Sequence, residues 1–363
     1  MYSPLRHIPA VFGKGRPIQL TFFVTRKCNA RCPYCFYLRG DRDVADEAET
    51  AADELSLGEI QEIASSLDRL LWVAFSGGEP YLRRDLVEIS KVFYDRNRPS
   101  FLLYPTNGSL PELIAANTER ILQHCDKSVV VVKLSLDGLN GDHDALRGLP
   151  GGFDKVMATH RLLAGLAERF PNFELGINTV FCSENQDKMD EIIDFVGDLP
   201  DVTTHTISLV RGDLAEAHYK EVDLDKYSRA IDRLESGLRN GTSDIHRFRG
   251  ARFKAGQDIL QRRLILRTLR EGRRQIPCYA GGLSLVLTES GDVFPCEILA
   301  ESFGNIRDHD HDMGKLLRSA KGRALLESLS DNACFCTHEC NFITNILFNP
   351  RLYPALAKEC LQL

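Results

Sequence analysis

The stretch IQLTFFVTRKCNARCPYC (residues 18–35) decides what kind of fold this chain has. Its first half, IQLTFFV (18–24), is a short apolar run rich in β-forming residues, which predicts a buried strand. Its second half places Cys28, Cys32 and Cys35 in a loop directly after that strand. Thiolates are soft ligands that select zinc, copper(I) or iron–sulfur clusters. The stretch therefore predicts a strand that ends in a metal-binding loop.

Five further apolar runs, each followed by a helical pattern, continue the chain to residue 212: LWVAF (71–75), FLLYP (101–105), SVVVVKLSL (128–136), FELGINTVF (173–181) and THTISLV (204–210). This alternation implies parallel strands joined by right-handed crossovers. Near-continuous apolar runs indicate strands covered on both faces. Six units are too few for an eight-fold barrel. We predict an α/β fold, a partial (βα)6 TIM-like barrel, with a flat doubly wound sheet as the alternative.

Changes in this rhythm predict the division of the chain. Residues 1–17 form an N-terminal extension and residues 18–212 the core partial barrel. Two arginine-rich helical stretches make residues 213–275 a helical bridge. Cysteines return among short strand signals in residues 276–363, for which we predict a small C-terminal α+β domain.

The composition narrows the possible partners and location. The net charge of −6 and the pI of about 6.0 give no electrostatic argument for a nucleic-acid partner. No run of about 18 apolar residues exists to span a membrane. We see no secretion signal at the N-terminus, so we expect a cytoplasmic protein. Eleven cysteines in such a chain favour metal binding or catalysis over disulfides.

Three thiols in one loop are compatible with two kinds of metal site. A structural zinc site needs four closed ligands, so a fourth would have to come from elsewhere, for example His205. Three thiolates on a cubane cluster instead leave one iron free to chelate an amine and a carboxylate. The loop leaves the carboxyl end of the first strand, where barrels of this kind build active sites.

The pattern Cys28-x3-Cys32-x2-Cys35, with Tyr34 before the last cysteine, resembles the signature of the radical S-adenosylmethionine (SAM) enzymes. The resemblance implies that the open iron of a [4Fe–4S] cluster binds the amino and carboxylate groups of SAM. An electron from the reduced cluster would cleave SAM to a 5′-deoxyadenosyl radical. Tyr34 would lie near the adenine.

The residues at the ends of the later predicted strands agree with this resemblance. The GGEP loop after the second strand corresponds to the family's loop for the amino group of SAM, and the ends of strands three to five would also face SAM. The implied SAM-binding residues are Gly77, Gly78, Glu79, Pro80, Asn107, Ser135, Asp137 and Asn178. Turns and polar strand caps are the alternative for each of them. Arg147 would either help to place SAM or pair with Asp144.

The second cysteine set resembles the opening of the SPASM and twitch domains, which hold auxiliary [4Fe–4S] clusters. Cys278 and Cys296 flank Gly291, whose turn would close a hairpin. We predict one auxiliary cluster, completed by two of Cys334, Cys336 and Cys340; which two stays open. A degraded SPASM domain that uses Cys360 and a zinc ribbon are the alternatives.

Glu297 follows Cys296 directly, where sulfatase-maturing enzymes of this family carry an acidic proton acceptor. The resemblance implies a catalytic role for Glu297, and a solvated side chain is the alternative. The implied function is hydrogen abstraction from an unactivated C–H bond of a peptide or protein side chain. A small molecule, such as a carbohydrate or a cell-envelope precursor, is the alternative substrate. A flavodoxin- or ferredoxin-type donor would supply electrons. A non-catalytic zinc protein and an electron carrier remain as alternatives from other classes.

Overall fold

The computed structural model describes residues 1–38, 53–242, 246–248, 250–331 and 334–363. The strands of this part of the chain form one nine-stranded sheet in the order β6-β5-β4-β3-β2-β1-β7-β8-β9. They are β1 (Gln19–Thr25), β2 (Trp72–Gly77), β3 (Phe101–Thr106), β4 (Val129–Ser135), β5 (Phe173–Phe181), β6 (Val202–Leu209), β7 (Ser284–Leu287), β8 (Asp292–Phe294) and β9 (Gly304–Asn305).

The first six strands are parallel and lie side by side in chain order. A doubly wound sheet would reverse its strand order at a switch point, and no reversal occurs between β1 and β6. Because every crossover moves in the same direction, the carboxyl ends of all six strands meet at one edge. The predicted α/β partial barrel is therefore confirmed, and the flat alternative is wrong.

Helices follow the strands and pack on the outside of the sheet. They are α1 (Leu57–Ser66), α2 (Leu86–Asn97), α3 (Pro111–His124), α4 (Gly141–Arg147), α5 (Gly152–Arg169), α6 (Met189–Gly197), α7 (Leu224–Asn240), α8 (Ala251–Glu271), α9 (Met313–Leu317), α10 (Ala320–Asp331), α11 (Glu339–Leu347) and α12 (Tyr353–Leu361). Short 3₁₀ turns cover Pro4–Val11, Pro80–Leu82, Ala217–Lys220, Ile306–His309 and Pro350–Leu352.

The start of α1 shows how the sequence sets a boundary. Ser56 caps the helix by accepting the Glu59 amide at 3.3 Å, and the Glu59 carboxylate accepts the Ser56 amide at 2.8 Å. This reciprocal capping box satisfies two amides that a helix start otherwise leaves unpaired.

The apolar pattern of residues 313–331 folds as two helices, α9 and α10, rather than as one. The helix is interrupted between them, and the start of α10 packs closely against the end of α9. A Cβ at Gly322 would lie 2.5 Å from the carbonyl oxygen of Leu316. Periodicity could not show this break, because both helices carry apolar residues at helical spacing.

The C-terminal strands extend the barrel sheet rather than starting a new one. β7 pairs in parallel with β1, and β8 returns antiparallel to β7 through the predicted turn. Gly291 has φ +93° in that turn, a conformation that favours glycine. This pairing brings the second cysteine set beside the first strand. No described helix is long and apolar enough to cross a membrane.

Candidate functional site

The loop after β1 places the partly buried Cys28, Cys32 and Cys35 at the carboxyl end of the first barrel strand. Burial raises the pKa of the Cys28 thiol to about 12, with a contribution from the charges of Glu79 and the other two thiols. Burial also raises the pKa of Cys32, although Arg147 opposes this shift. Such thiols ionise when a bound metal takes up their charge. The loop therefore fits a cationic group that three thiolates share.

A single metal ion fits this part of the structure less well. Among the described residues, no three histidine, cysteine or acidic side chains converge on one ion position. A tetrahedral zinc site has Zn–S distances of about 2.3 Å and draws its thiolates close together. His205, the candidate fourth ligand, places its Nε2 2.9 Å from the Thr179 hydroxyl.

Two glycines after β2 allow the next loop to pack against the cysteine loop. A Cβ at Gly77 would lie 2.4 Å from the Thr25 carbonyl oxygen, and one at Gly78 would lie 2.2 Å from the Lys27 carbonyl oxygen. The Gly78 amide donates to Thr25 O at 2.8 Å. We expected these glycines to admit a ligand. The close contact that the structure shows is to the base of the cysteine loop.

Glu79 is buried at the centre of the strand ends. Its Oε1 accepts the Thr106 hydroxyl at 2.7 Å and the Tyr81 amide at 3.2 Å, and its Oε2 accepts the Asn107 amide at 2.8 Å. Burial nevertheless raises the pKa of Glu79 to about 7. Asn107 in turn donates to Asn29 Oδ1 at 2.8 Å, inside the cysteine loop. The ends of β2 and β3 are thus tied directly to the metal-binding loop. Pro80 starts the 3₁₀ turn that follows and is buried.

Tyr34, Asp137 and Arg147 form one buried group beside the loop. The Tyr34 hydroxyl donates to Asp137 Oδ2, and Arg147 Nε lies 2.5 Å from the same oxygen. Asp137 Oδ1 accepts the Val180 amide at 2.6 Å. Arg147 pairs with Asp137 and not with Asp144, whose carboxylate caps the start of α5 by accepting the Gly151 and Phe153 amides.

This group supports the loop from behind. Arg147 Nη1 lies 3.8 Å from Cys32 Sγ, and its carbonyl oxygen accepts the Arg31 amide at 2.9 Å. Asp137 has no exposed surface, so its two oxygens serve Tyr34, Arg147 and the β5 backbone. These contacts tie Asp137 to the residues that pack against the cysteine loop, and its predicted role in binding SAM stays a prediction.

Ser135 and Asn178 lie opposite each other in the register of β4 and β5. Both are partly buried, and Asn178 Oδ1 accepts the Ser208 hydroxyl at 3.2 Å. Their alternate neighbours Leu134 and Ile177 are fully buried against the helices. Side chains alternate along a strand, so Ser135 and Asn178 face the barrel interior, as the sequence predicts.

Four thiols of the C-terminal region are electrostatic neighbours. Burial raises the pKa of Cys336 to about 11, with contributions from the charges of Cys278, Cys296 and Cys334. Burial also raises the pKa of Cys296, and the charge of Cys278 adds to it. The Tyr279 amide donates to Asn345 Oδ1 of α11 at 2.8 Å and thereby holds the chain beside Cys278. Four thiols complete a [4Fe–4S] ligand set.

Cys340 lies apart from this set. Its buried thiol is surrounded by Glu297, Arg211, Glu339 and Lys133, whose charges act on its pKa. Sequence spacing alone left Cys334, Cys336 and Cys340 equivalent. In the structure Cys340 is the second residue of α11, which begins at Glu339, whereas Cys336 precedes the helix.

Cys360 also stands away from the four thiols. It lies on α12, where a Cβ at Gly256 of α8 would come within 2.8 Å of its sulfur. Its thiol is part of the packing between these two helices. The alternative that uses Cys360 as a cluster ligand has no support in this arrangement.

Glu297 links the second cysteine region to the end of β6 through ion pairs. Its Oε2 lies 2.7 Å from His338 Nε2 and 3.5 Å from Arg211 Nη2, and Arg211 Nη1 lies 3.0 Å from Glu339. Burial alone would raise the pKa of Glu297, but His338 and Arg211 outweigh it and lower the pKa to about 2. A carboxylate this acidic is a weak base. The contacts hold Glu297 between Arg211 and His338, and its predicted catalytic role stays a prediction.

Sequence reasoning missed two cations inside the barrel, Lys133 of β4 and Arg262 of α8. Burial lowers the pKa of Lys133 to about 8, and it lies near Arg262. A signal for Lys133 existed, because it is the one charge within the apolar run SVVVVKLSL. No signal marked Arg262 among the many arginines of its helix.

Comparison with known proteins places these features in context. Residues 22–196 match the Radical SAM superfamily. An AdoMet-dependent heme synthase of Methanosarcina barkeri is 28% identical over 312 residues, which cover 80% of this chain and 80% of that protein. A PqqA peptide cyclase of Rhodopseudomonas palustris is 30% identical over 183 residues, 50% of this chain and 44% of that protein.

A solved structure shares the fold along nearly the whole chain. It is native anSMEcpe with bound AdoMet, with a TM-score of 0.59, 18% identity and coverage of 96% of this chain and 100% of that one. At this level of identity the likeness concerns the fold.

Proposed function

Because residues 22–196 form a radical SAM domain, we propose that this enzyme reductively cleaves SAM and abstracts a hydrogen atom from an unactivated C–H bond. Cys28, Cys32 and Cys35 would hold a [4Fe–4S] cluster, which would supply the electron for cleavage of the C5′–S bond of SAM to methionine and a 5′-deoxyadenosyl radical. Members of this superfamily use that cluster and SAM. The remaining chemistry depends on what this chain positions around them.

One observation carries the proposal: the cysteine loop and Glu79 share a single hydrogen-bonded unit. Asn107 donates its side-chain amide to Asn29 of the loop and its backbone amide to Glu79. Cys28, Cys32 and Cys35 would hold the cluster, and Glu79 would receive the SAM ammonium beside it. The unit therefore orients the cofactor and SAM together.

We assign an auxiliary [4Fe–4S] cluster to the four thiols Cys278, Cys296, Cys334 and Cys336. It would accept an electron from the substrate radical or orient the substrate. Glu297, between this set and Arg211, would hold the two regions in a fixed relation. A flavodoxin- or ferredoxin-type protein would supply the reducing electron.

Two substrate classes fit this reading. The 30% identity to a peptide cyclase favours a peptide or protein side chain. The match to a heme synthase over 80% of both chains favours a small molecule. The two classes are separated by adding either the small-molecule filtrate or the retained protein fraction of a cell extract to the reduced enzyme. The fraction that holds the substrate raises 5′-deoxyadenosine formation.

Reductive SAM cleavage tests the proposal itself. Anaerobically reconstituted enzyme, reduced with dithionite, is expected to convert SAM to 5′-deoxyadenosine and methionine. The Cys28/Cys32/Cys35→Ala triple variant is expected to form neither. Cys125→Ala, which removes a buried thiol of the core, is the matched control and should retain cleavage. Equal cleavage by the triple variant would show that the loop holds no SAM-cleaving cluster.

A further inference from the structure

The barrel interior carries a lysine at mid-strand. Lys133 lies on β4, two residues before Ser135 and on the same face, and its Nζ donates to the Thr206 hydroxyl of β6. Gly176 of β5 lies between them. A Cβ there would be 2.6 Å from Thr204 Oγ1 and 3.5 Å from Lys133 Cε. The glycine therefore leaves room for the lysine side chain to cross β5.

Helix α8 brings more charge to the same place. Lys254 and Asp258, one turn apart, form an ion pair with each other. Arg262, one turn further on, donates from Nη2 to the His205 carbonyl oxygen at 3.3 Å. Among the described residues, its buried Nη1 has no hydrogen-bond partner. A buried guanidinium nitrogen without an acceptor is costly, because guanidinium N–H groups only donate.

The charges in this interior do not balance. Lys133, Lys254, Asp258 and Arg262 act on one another, and Lys254 already neutralises the carboxylate. Burial, together with Arg262 and Lys133, lowers the pKa of His205 to about 3, so this histidine is neutral. Within the part of the chain that the structure describes, Lys133 bonds to a hydroxyl and Arg262 to a carbonyl, and neither has a carboxylate partner. Glu235 also acts on Arg262, but its carboxylate forms ion pairs with Arg239 and Arg263. Among the described residues, a net positive charge therefore remains at this position.

We propose that Lys133 and Arg262 form an anion-binding subsite inside the barrel that takes a carboxylate or phosphate group of the substrate. The proposal rests on the proposed function, because it places the substrate below SAM. Strands rise about 3.3 Å per residue, so Lys133 lies about 7 Å deeper than Ser135.

The test uses the stability of the holoenzyme. Thermal unfolding is followed anaerobically in chloride, in inorganic phosphate and in glutarate at equal ionic strength. For the wild type we expect phosphate, glutarate or both to raise Tm by roughly 2–4 °C. A response to one anion alone identifies the group that the substrate carries. Lys133→Met and Arg262→Met are expected to lose the response.

The behaviour in chloride separates a ligand site from a structural one. Lys133→Met should unfold at a higher temperature than the wild type, because an unpaired buried charge is removed. Lys254→Met is the matched control in the same interior and should unfold at a lower temperature, because it leaves Asp258 without its partner. If Lys133→Met also unfolds at a lower temperature, Lys133 has a structural role and the proposal is wrong.

Two other results would overturn the proposal. One is a wild type that responds to neither anion, or variants that respond as the wild type does. The other is loss of the phosphate and glutarate responses when SAM alone is added, since the subsite would then belong to the SAM carboxylate. Formation of 5′-deoxyadenosine by the wild type is measured in parallel. It tests the proposed function separately from the subsite.

Discussion

Replacing Glu79 with glutamine should weaken SAM binding strongly. A carboxylate offers about four lone-pair positions. Three are filled, by the Thr106 hydroxyl at 2.7 Å, the Asn107 amide at 2.8 Å and the Tyr81 amide at 3.2 Å. One position remains for the SAM ammonium. Loss of a charge-assisted hydrogen bond costs about 1.5–3 kcal/mol. We therefore expect Glu79→Gln to raise the Kd for SAM about 10- to 150-fold.

The same residue predicts a pH dependence. Burial raises the pKa of Glu79 from its usual value of 4.5 to about 7. The folded chain therefore keeps a proton between these pH values that the unfolded chain has lost. Protonation of Glu79 therefore stabilises the folded chain. The free energy of unfolding falls by about 3 kcal/mol as pH rises through this window. An ammonium ligand needs the ionised form, so wild-type affinity for SAM should fall as pH drops below 7. Glu79→Gln should show neither effect.

Equilibrium dialysis of SAM against the oxidised holoenzyme at pH 8 and pH 6 measures the affinity for SAM and its pH dependence. Glu174→Gln is the matched control, because Glu174 is equally buried but lies at the other end of the barrel strand β5. It should bind SAM as the wild type does. A Glu79→Gln enzyme with full iron content and wild-type affinity for SAM at pH 8 would refute the assigned role of Glu79.

Three further predictions follow from the contacts. Cys336→Ala should lower the iron content from about eight to about four per chain, whereas Cys340→Ala should keep about eight; equal losses in both variants would contradict the separation of these thiols. Asp137→Asn leaves Arg147 buried without its anion and should lower the free energy of unfolding by about 3–5 kcal/mol; urea unfolding with an unchanged midpoint would count against this ion pair. Gly78→Ala would place a Cβ 2.2 Å from a carbonyl oxygen of the cysteine loop and should lower iron retention; full iron retention would show that the loop can move aside.

The barrel could be predicted because each strand is a local apolar run. The run FELGINTVF coincides with β5, Phe173–Phe181, and FLLYP lies within β3, Phe101–Thr106. The sequence pattern does not predict the short helix α4, Gly141–Arg147. This helix spans only about two turns and carries mostly polar residues. The pairing of β7 with β1 is a long-range contact that no local pattern encodes.

The residues of the candidate site could likewise be predicted only where a local motif marks them. Motif spacing predicted the residues that cluster at the strand ends, including Glu79 and Asn107. It could not show that Asp137 is fully occupied by Tyr34 and Arg147, because that depends on packing between α4 and the cysteine loop. Nor could it separate Cys340 from its neighbours, since the direction of a thiol depends on where a helix begins.

The iron and sulfide content of the anaerobically reconstituted protein tests the central claim most directly. The account predicts about eight irons per wild-type chain and about four in the Cys28/Cys32/Cys35→Ala variant, as expected for two four-iron clusters of which one is held by the first loop. Zinc in place of iron, or an iron content unchanged by the triple substitution, would contradict it.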